Sequence, residues 1–183
     1  MNQWDHKRSI MLRYDVTAEM YNLRYSEEQK AKYEKVLKNV NAAGTVLDLG
    51  CGTGLLFSSI ASQAEMVVAA DVSMNQLLKA KEQAKTFDNI CLIHADADNL
   101  PVKDNCFNVV FAFTVLQNMP KPAEALRELK RTAKYGGLIV VSGLKKTFSL
   151  EVFEALLKEA GLRLIFCEDN LKLNCYMAVG TQG

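Results

Sequence analysis

From residue 45 onward the chain alternates between short apolar runs and stretches in which apolar positions recur every three or four residues. The runs Thr45 to Leu49, Met66 to Ala70, Ile90 to His94, Asn108 to Phe113, Leu138 to Gly143, Leu162 to Cys167 and Lys172 to Val179 have the length and composition of strands. Helices are predicted near Leu55 to Gln63, Asn75 to Lys85, Pro122 to Ala133 and Leu150 to Ala160. In them Leu126, Leu129 and Ala133 share one face, as do Phe153, Leu156, Leu157 and Ala160. Strands alternating with helices predict an α/β sheet. Gly136-Gly137 and Gly161 each predict a helix end just before a strand, and Ser149 predicts the N-cap of the last helix. The stretch Glu168 to Leu171 is too short for a parallel crossover, so the last two strands should form an antiparallel hairpin. Residues 1–40, polar and with a charged helical run from Glu27 to Lys38, are expected to form an N-terminal helical segment set on a domain spanning 41–183.

Composition narrows the picture. A chain of 183 residues that is 49% hydrophobic can fill one core, and a second independent domain is not expected. With 22 Lys and Arg against 21 Asp and Glu, no global charge draws it to nucleic acid or an anionic membrane. An RNA substrate would need a local patch or a partner. No run approaches the roughly 20 apolar residues of a membrane span, and no apolar core follows the N-terminal charges, so a cytoplasmic protein is expected. The five cysteines are scattered, without a C-x-x-C pair or histidines at metal spacing, which predicts reduced thiols and no metal site.

The most informative run is Val46-Leu47-Asp48-Leu49-Gly50-Cys51-Gly52-Thr53-Gly54, a buried strand opening into a glycine-rich turn. Its spacing is G-x-G-x-G, with Asp48 two residues before the first glycine, and it lacks the third glycine position of the dinucleotide loop. Asp71 follows the second apolar run, where a carboxylate can accept both hydroxyls of a ribose. Asp96-Ala97 follows the third, where a carboxylate can accept from an adenine amine and the next N–H can donate to a ring nitrogen. Each acid alone could be an ordinary turn or surface residue; together they fall at three successive strand ends.

In these motifs the chain resembles the class I S-adenosylmethionine-dependent methyltransferases, in particular a small, insertion-free, methyltransferase-11-like subgroup, over about residues 40 to 180. The resemblance implies a Rossmann-like sheet of order 3-2-1-4-5-7-6 with strand 7 antiparallel and helices on both faces. It also implies binding of S-adenosyl-L-methionine, leaving S-adenosyl-L-homocysteine: the loop of Gly50, Gly52 and Gly54 with Asp48 at the methionine portion, Asp71 on the ribose, Val72 against adenine, Asp96 and Ala97 at the adenine edge, and Phe113 beside the methionine part. In similar enzymes an aromatic N-terminal helix closes over the cofactor, which makes Tyr14 and Tyr21 candidates; they could equally pack the segment onto the sheet.

The acceptor is less legible. The loop Thr114 to Pro120 lacks the Asn/Asp-Pro-Pro-Tyr signature and contains no acid or histidine, so no general base is assigned. Gln117 and Asn118 could hydrogen-bond an acceptor or be ordinary loop groups. The connection after strand five is too short for a substrate-binding insertion, which predicts an open site and favours RNA or protein of the translation machinery. A small molecule is the alternative if residues 1–40 form the whole lid, and a non-catalytic cofactor-binding subunit is the third. The run Ile90-Cys91-Leu92-Ile93 at the inferred sheet edge suggests pairing with a small activator protein or a second copy, although parallel strands are apolar in any case.

Overall fold

Neighbouring residues of each strand face opposite sides of the sheet, and here both sides are covered. Val46 and Leu47 are adjacent and both fully buried. Val46 packs with Val67, Val109, Phe111 and Val140, whereas Leu47 packs with Val110, Ile139, Val141 and Ala178. This two-sided burial is why the strands read as continuous apolar runs. The computed structural model describes residues 2–182. The elements are α1 (Gln3–Leu37), β1 (Gly44–Leu49), α2 (Phe57–Ile60), β2 (Ala64–Asp71), α3 (Met74–Ala84), β3 (Ile90–His94), β4 (Phe107–Ala112), a 3-10 turn (Leu116–Asn118), α4 (Pro122–Thr132), β5 (Ala133–Leu144), α5 (Leu150–Glu159), β6 (Leu162–Glu168) and β7 (Cys175–Gln182). The strands form one sheet of order β3-β2-β1-β4-β5-β7-β6, with β7 antiparallel to both neighbours. This is the order implied by the family resemblance, with the terminal hairpin expected from the short connection before the last strand.

Several boundaries differ for local reasons. The helix expected over Leu55 to Gln63 shrinks to the single turn of α2, because Ser59 N–H already bonds back three residues to Leu56 and β2 starts at Ala64. Gly136 and Gly137 do not end a helix; they lie inside β5, which begins at Ala133 as soon as α4 ends. Pairing jumps there from Phe107↔Ala133 to Val109↔Leu138, so β5 carries a bulge. Gly136 takes a φ of 74°, and a Cβ on Gly137 would sit 2.9 to 3.1 Å from three carbonyl oxygens. The bend therefore requires glycine. The last strand starts at Cys175 rather than Lys172, since the Asn170 side chain accepts from Lys172 N–H and holds a turn before it. Ser149 and Gly161 act as predicted: the Ser149 hydroxyl accepts from Val152 N–H, and Gly161, at φ 78°, follows the end of α5.

Within the N-terminal segment expected to be helical, residues 3–37 form one continuous helix that extends well before the charged run from Glu27 to Lys38. Asn2 caps it, its side chain accepting from Asp5 N–H while the Asp5 carboxylate accepts from Asn2 N–H. Its large apolar anchors, Tyr33 and Val36, lie in the second half, while the first half buries only the small Ala18. The first half crosses the carboxyl ends of the strands.

Candidate functional site

The strand order reverses between β1 and β4, and the loops leaving the carboxyl ends of β1 to β4 gather at that switch point. The β1 turn is pinned to β2 by Gly50 N–H and Cys51 N–H, both donating to Ala70 O at 2.8 and 3.1 Å. Gly52, at φ 55°, then aims its N–H at Asp71 Oδ2, 2.8 Å away. A Cβ on Gly52 would meet only Gln76 and Tyr21, side chains that line the same cleft, so its absence keeps the space open.

That cleft encloses about 710 Å³, part of it open to solvent. Of the residues singled out in the sequence, Gly50, Gly52, Asp71, Val72, Asp96, Ala97, Phe113, Tyr14 and Tyr21 line it. Two do not. Gly54 is packed below, where a Cβ would lie 2.5 Å from the Phe57 ring. Asp48 is only 3% exposed beneath the turn, with Oδ2 lacking a partner among the described residues. Burial, and after it the Asp71 charge, push the Asp48 carboxyl up to about 8. Asp71 is raised too by burial, but Ser73, Gly52 and Val72 N–H groups and His94 oppose the rise. Its two oxygens accept from Gly52 and Ser73 N–H at 2.8 Å each, which leaves lone pairs for further donors.

Helix α1 roofs the cleft, held by polar contacts that no spacing in the sequence reveals. Lys7 Nζ lies 2.7 Å from Asp96 Oδ2 and 2.6 Å from both oxygens of Asp98. Asp15 Oδ1 accepts from the Ser73 hydroxyl at 2.5 Å and from Asn75 N–H at 3.1 Å. Thr53 Oγ1 donates to Asn22 Oδ1 at 2.5 Å, and Asn118 Nδ2 donates to Tyr14 Oη at 3.0 Å. Lys7, Ile10, Leu49 and Gln76 also line it and were not anticipated, while Thr114, Val115 and Met119 come from the loop singled out for the acceptor. Thr114 takes a φ of 63°, a strained setting for a β-branched residue, secured by its N–H donating to Ser142 Oγ at 2.8 Å. Asn118 joins the lining as an α1 contact, while Gln117 lies to its side.

Tyr14, Tyr21, Thr114 and Asn118 are shared with a second cavity of about 1170 Å³ between α1 and the loops after β4 and β5. His94 ends β3 with Nε2 2.9 Å from Val72 O. No cluster of metal-ligating side chains occurs among the described residues. All five cysteines are free thiols.

Residues 47–141 match the family described as methyltransferase domain. The chain is 31% identical over 154 residues to a malonyl-[acyl-carrier protein] O-methyltransferase of Marinomonas sp., covering 82% of this chain and 57% of that protein. It is 35% identical over 138 residues to a demethylmenaquinone methyltransferase of Staphylococcus saprophyticus, covering 73% and 58%. It thus spans less than three fifths of these relatives' length. Its fold superimposes with a TM-score of 0.76 on a chain of the complex between the Haloferax volcanii Trm112 methyltransferase activator and a methyltransferase, at 16% identity and covering 92% and 96%. At that identity the likeness concerns the fold alone. The family match across half the chain, joined to the strand order and the glycine turn, shows that this protein belongs to the class I S-adenosylmethionine-dependent methyltransferases of the methyltransferase-domain type.

Proposed function

We propose that this chain binds S-adenosylmethionine in the cleft under α1 and transfers its methyl group to a small molecule held in the adjoining cavity. The observation that carries this is the convergence of the β1 turn, Asp71 and Asp96-Ala97 on one roofed cleft. When bound, S-adenosylmethionine supplies an electrophilic methyl group on a sulfonium. Asp71 accepts from the ribose hydroxyls, and Val72 packs on adenine. Asp96 keeps Oδ1 for the adenine amine while Lys7 holds Oδ2, and Ala97 N–H meets a ring nitrogen. Gly50, Gly52 and Phe113 flank the methionine portion, over Asp48 and the close-packed Gly54. Tyr14 and Tyr21 close the roof and keep water from the donor.

A small acceptor is favoured because α1 lies over the side that the short connection after β5 leaves without an insertion, and Leu144 and Thr147 face it across the second cavity. The two relatives named for malonyl-[acyl-carrier protein] and demethylmenaquinone support the same reading. A second reading keeps RNA or protein of the translation machinery as acceptor, with an activator on the β3 edge. Its support is that among the described residues β3 pairs only with β2 and that Cys91 is exposed there, together with the activator-bound fold neighbour.

Calorimetry with S-adenosylmethionine and NAD, and transfer of radiolabelled methyl to RNA, protein and small-molecule fractions, test the assignment. Binding of the first ligand alone and label in the small-molecule fraction are expected. NAD binding without S-adenosylmethionine binding would overturn it. Label entering RNA or protein only with a copurifying partner would favour the second reading, and cofactor binding without any transfer would make the chain a cofactor-binding module.

A further inference from the structure

The second cavity has walls of one predominant sign. Arg13, Arg24 and Lys32 line it, and Glu28 is its one carboxylate among the described residues. Glu28 is already engaged, with Oε1 3.1 Å from Lys32 Nζ and Oε2 accepting from Asn174 Nδ2 at 3.1 Å. Burial opposes its ionisation, yet the Asn174 amide and the Lys32 ammonium outweigh burial and hold the carboxyl below its ordinary value. Arg24 takes part in none of the ion pairs among the described residues.

Lys32 is 2% exposed, and Nζ also lies 3.3 Å from Thr114 Oγ1. Since Thr114 lines both cavities, this buried ammonium stands where they meet. Gln29, on the same wall and 5% exposed, gives Nε2 to Tyr21 Oη and Thr114 Oγ1 and keeps Oε1 buried without a partner. Burying a cation beside one shared acid is costly, and an anionic ligand would offset that cost.

We propose that the acceptor is a small organic acid, a carboxylate or a phosphate-type anion, whose oxyanion meets Lys32 and Arg24 and is itself the atom methylated. This rests on the cofactor reading above. Such an acceptor needs no general base, which suits a cavity with no histidine in its lining and its one carboxylate paired. The oxyanion lone pair forms the new carbon–oxygen bond, the carbon–sulfur bond breaks with its electrons returning to sulfur, and no proton moves. Tyr14, Tyr21 and Tyr25, with successive ring centroids 6.2 and 5.1 Å apart and ring planes tilted by 60° and 51°, offer an aromatic wall to the body of the acid.

The test uses the protein saturated with S-adenosylhomocysteine, titrated with benzoate, phenylphosphonate and the neutral isostere benzamide. At least one acid should bind about tenfold more tightly than benzamide, the scale of one charged hydrogen bond. Arg24→Gln and Lys32→Met should each erase most of that preference while S-adenosylhomocysteine still binds, which also shows that the variants fold. Passing the small-molecule fraction over an anion exchanger should remove its acceptor activity and the eluate should restore it. Alkali then separates the two acids, because a carboxylate ester of the product releases methanol and a phosphonate ester does not. Equal binding of acids and benzamide, preference retained in both variants, or full transfer to the anion-depleted fraction overturns the proposal and leaves cofactor binding untouched. Failure to bind S-adenosylhomocysteine at all overturns the cofactor reading instead.

Discussion

Asp71 holds two backbone amides and still faces the cleft, so one side chain both shapes the glycine turn and keeps lone pairs for a ligand's donors, in the proposal those of the ribose. Asp71→Ala should lower S-adenosylmethionine affinity at least about tenfold, the loss of charged hydrogen bonds, when measured by calorimetry on folded protein. Unchanged affinity would remove this carboxylate from the ribose site. Asp48 shows the opposite balance, buried with one oxygen unpartnered and its carboxyl raised to about 8 from an ordinary 3.8. Between these values the unfolded chain has released a proton that the folded chain keeps, so stability falls as pH rises through the window. Asp48→Asn removes this penalty, worth at most about 1.4 kcal/mol per pH unit. Without ligand, the variant should melt higher than the parent at pH 8, and the gap should close toward pH 4. A gap that stays constant across this range would show that Asp48 is ionised in the fold. Both acids were legible at strand ends, whereas the burial that separates their behaviour was not.

At the scale of elements, α1 and β3 were read with unequal success. The bounds of β3 match its apolar run, although as the edge strand it buries none of its residues fully. The length of α1 was hidden because its first half carries no continuous apolar stripe toward the sheet; Leu12 and Val16 are exposed, and polar contacts fasten it. The edge itself is testable. Ile90, Leu92 and Ile93 are half-buried and Cys91 is exposed, with no strand beyond β3 among the described residues. Leu92→Pro would remove a backbone donor and set a ring where an added strand must approach. If an activator or a second copy pairs there, size-exclusion chromatography should show the complex lost while circular dichroism and S-adenosylmethionine binding persist. A parent protein that is monomeric and methylates its acceptor at full rate alone excludes the edge as a docking site.

For the whole molecule, a ligand that binds only the folded state stabilises it by mass action. S-adenosylhomocysteine at one hundred times its dissociation constant adds about 2.7 kcal/mol, which for a chain of this size raises the melting temperature by about 5 to 10 °C. No shift at that saturation would show that the cleft does not engage the ligand. No helix among the described residues is long and apolar enough to cross a membrane. By itself the sequence determined the α/β class, the strand order through family resemblance, the terminal hairpin and the floor of the cleft. These follow from local pattern: strand period, glycine spacing, and acids that directly follow apolar runs. Only the tertiary structure decided that α1 is one helix laid across the strand ends, and that a second, cation-lined cavity opens beneath it. The contacts that build this roof join Lys7 to Asp96 across 89 residues and Lys32 to Thr114 across 82. Such pairs leave no periodic trace in a chain, because they depend on the angle at which one element crosses another and not on any spacing within either.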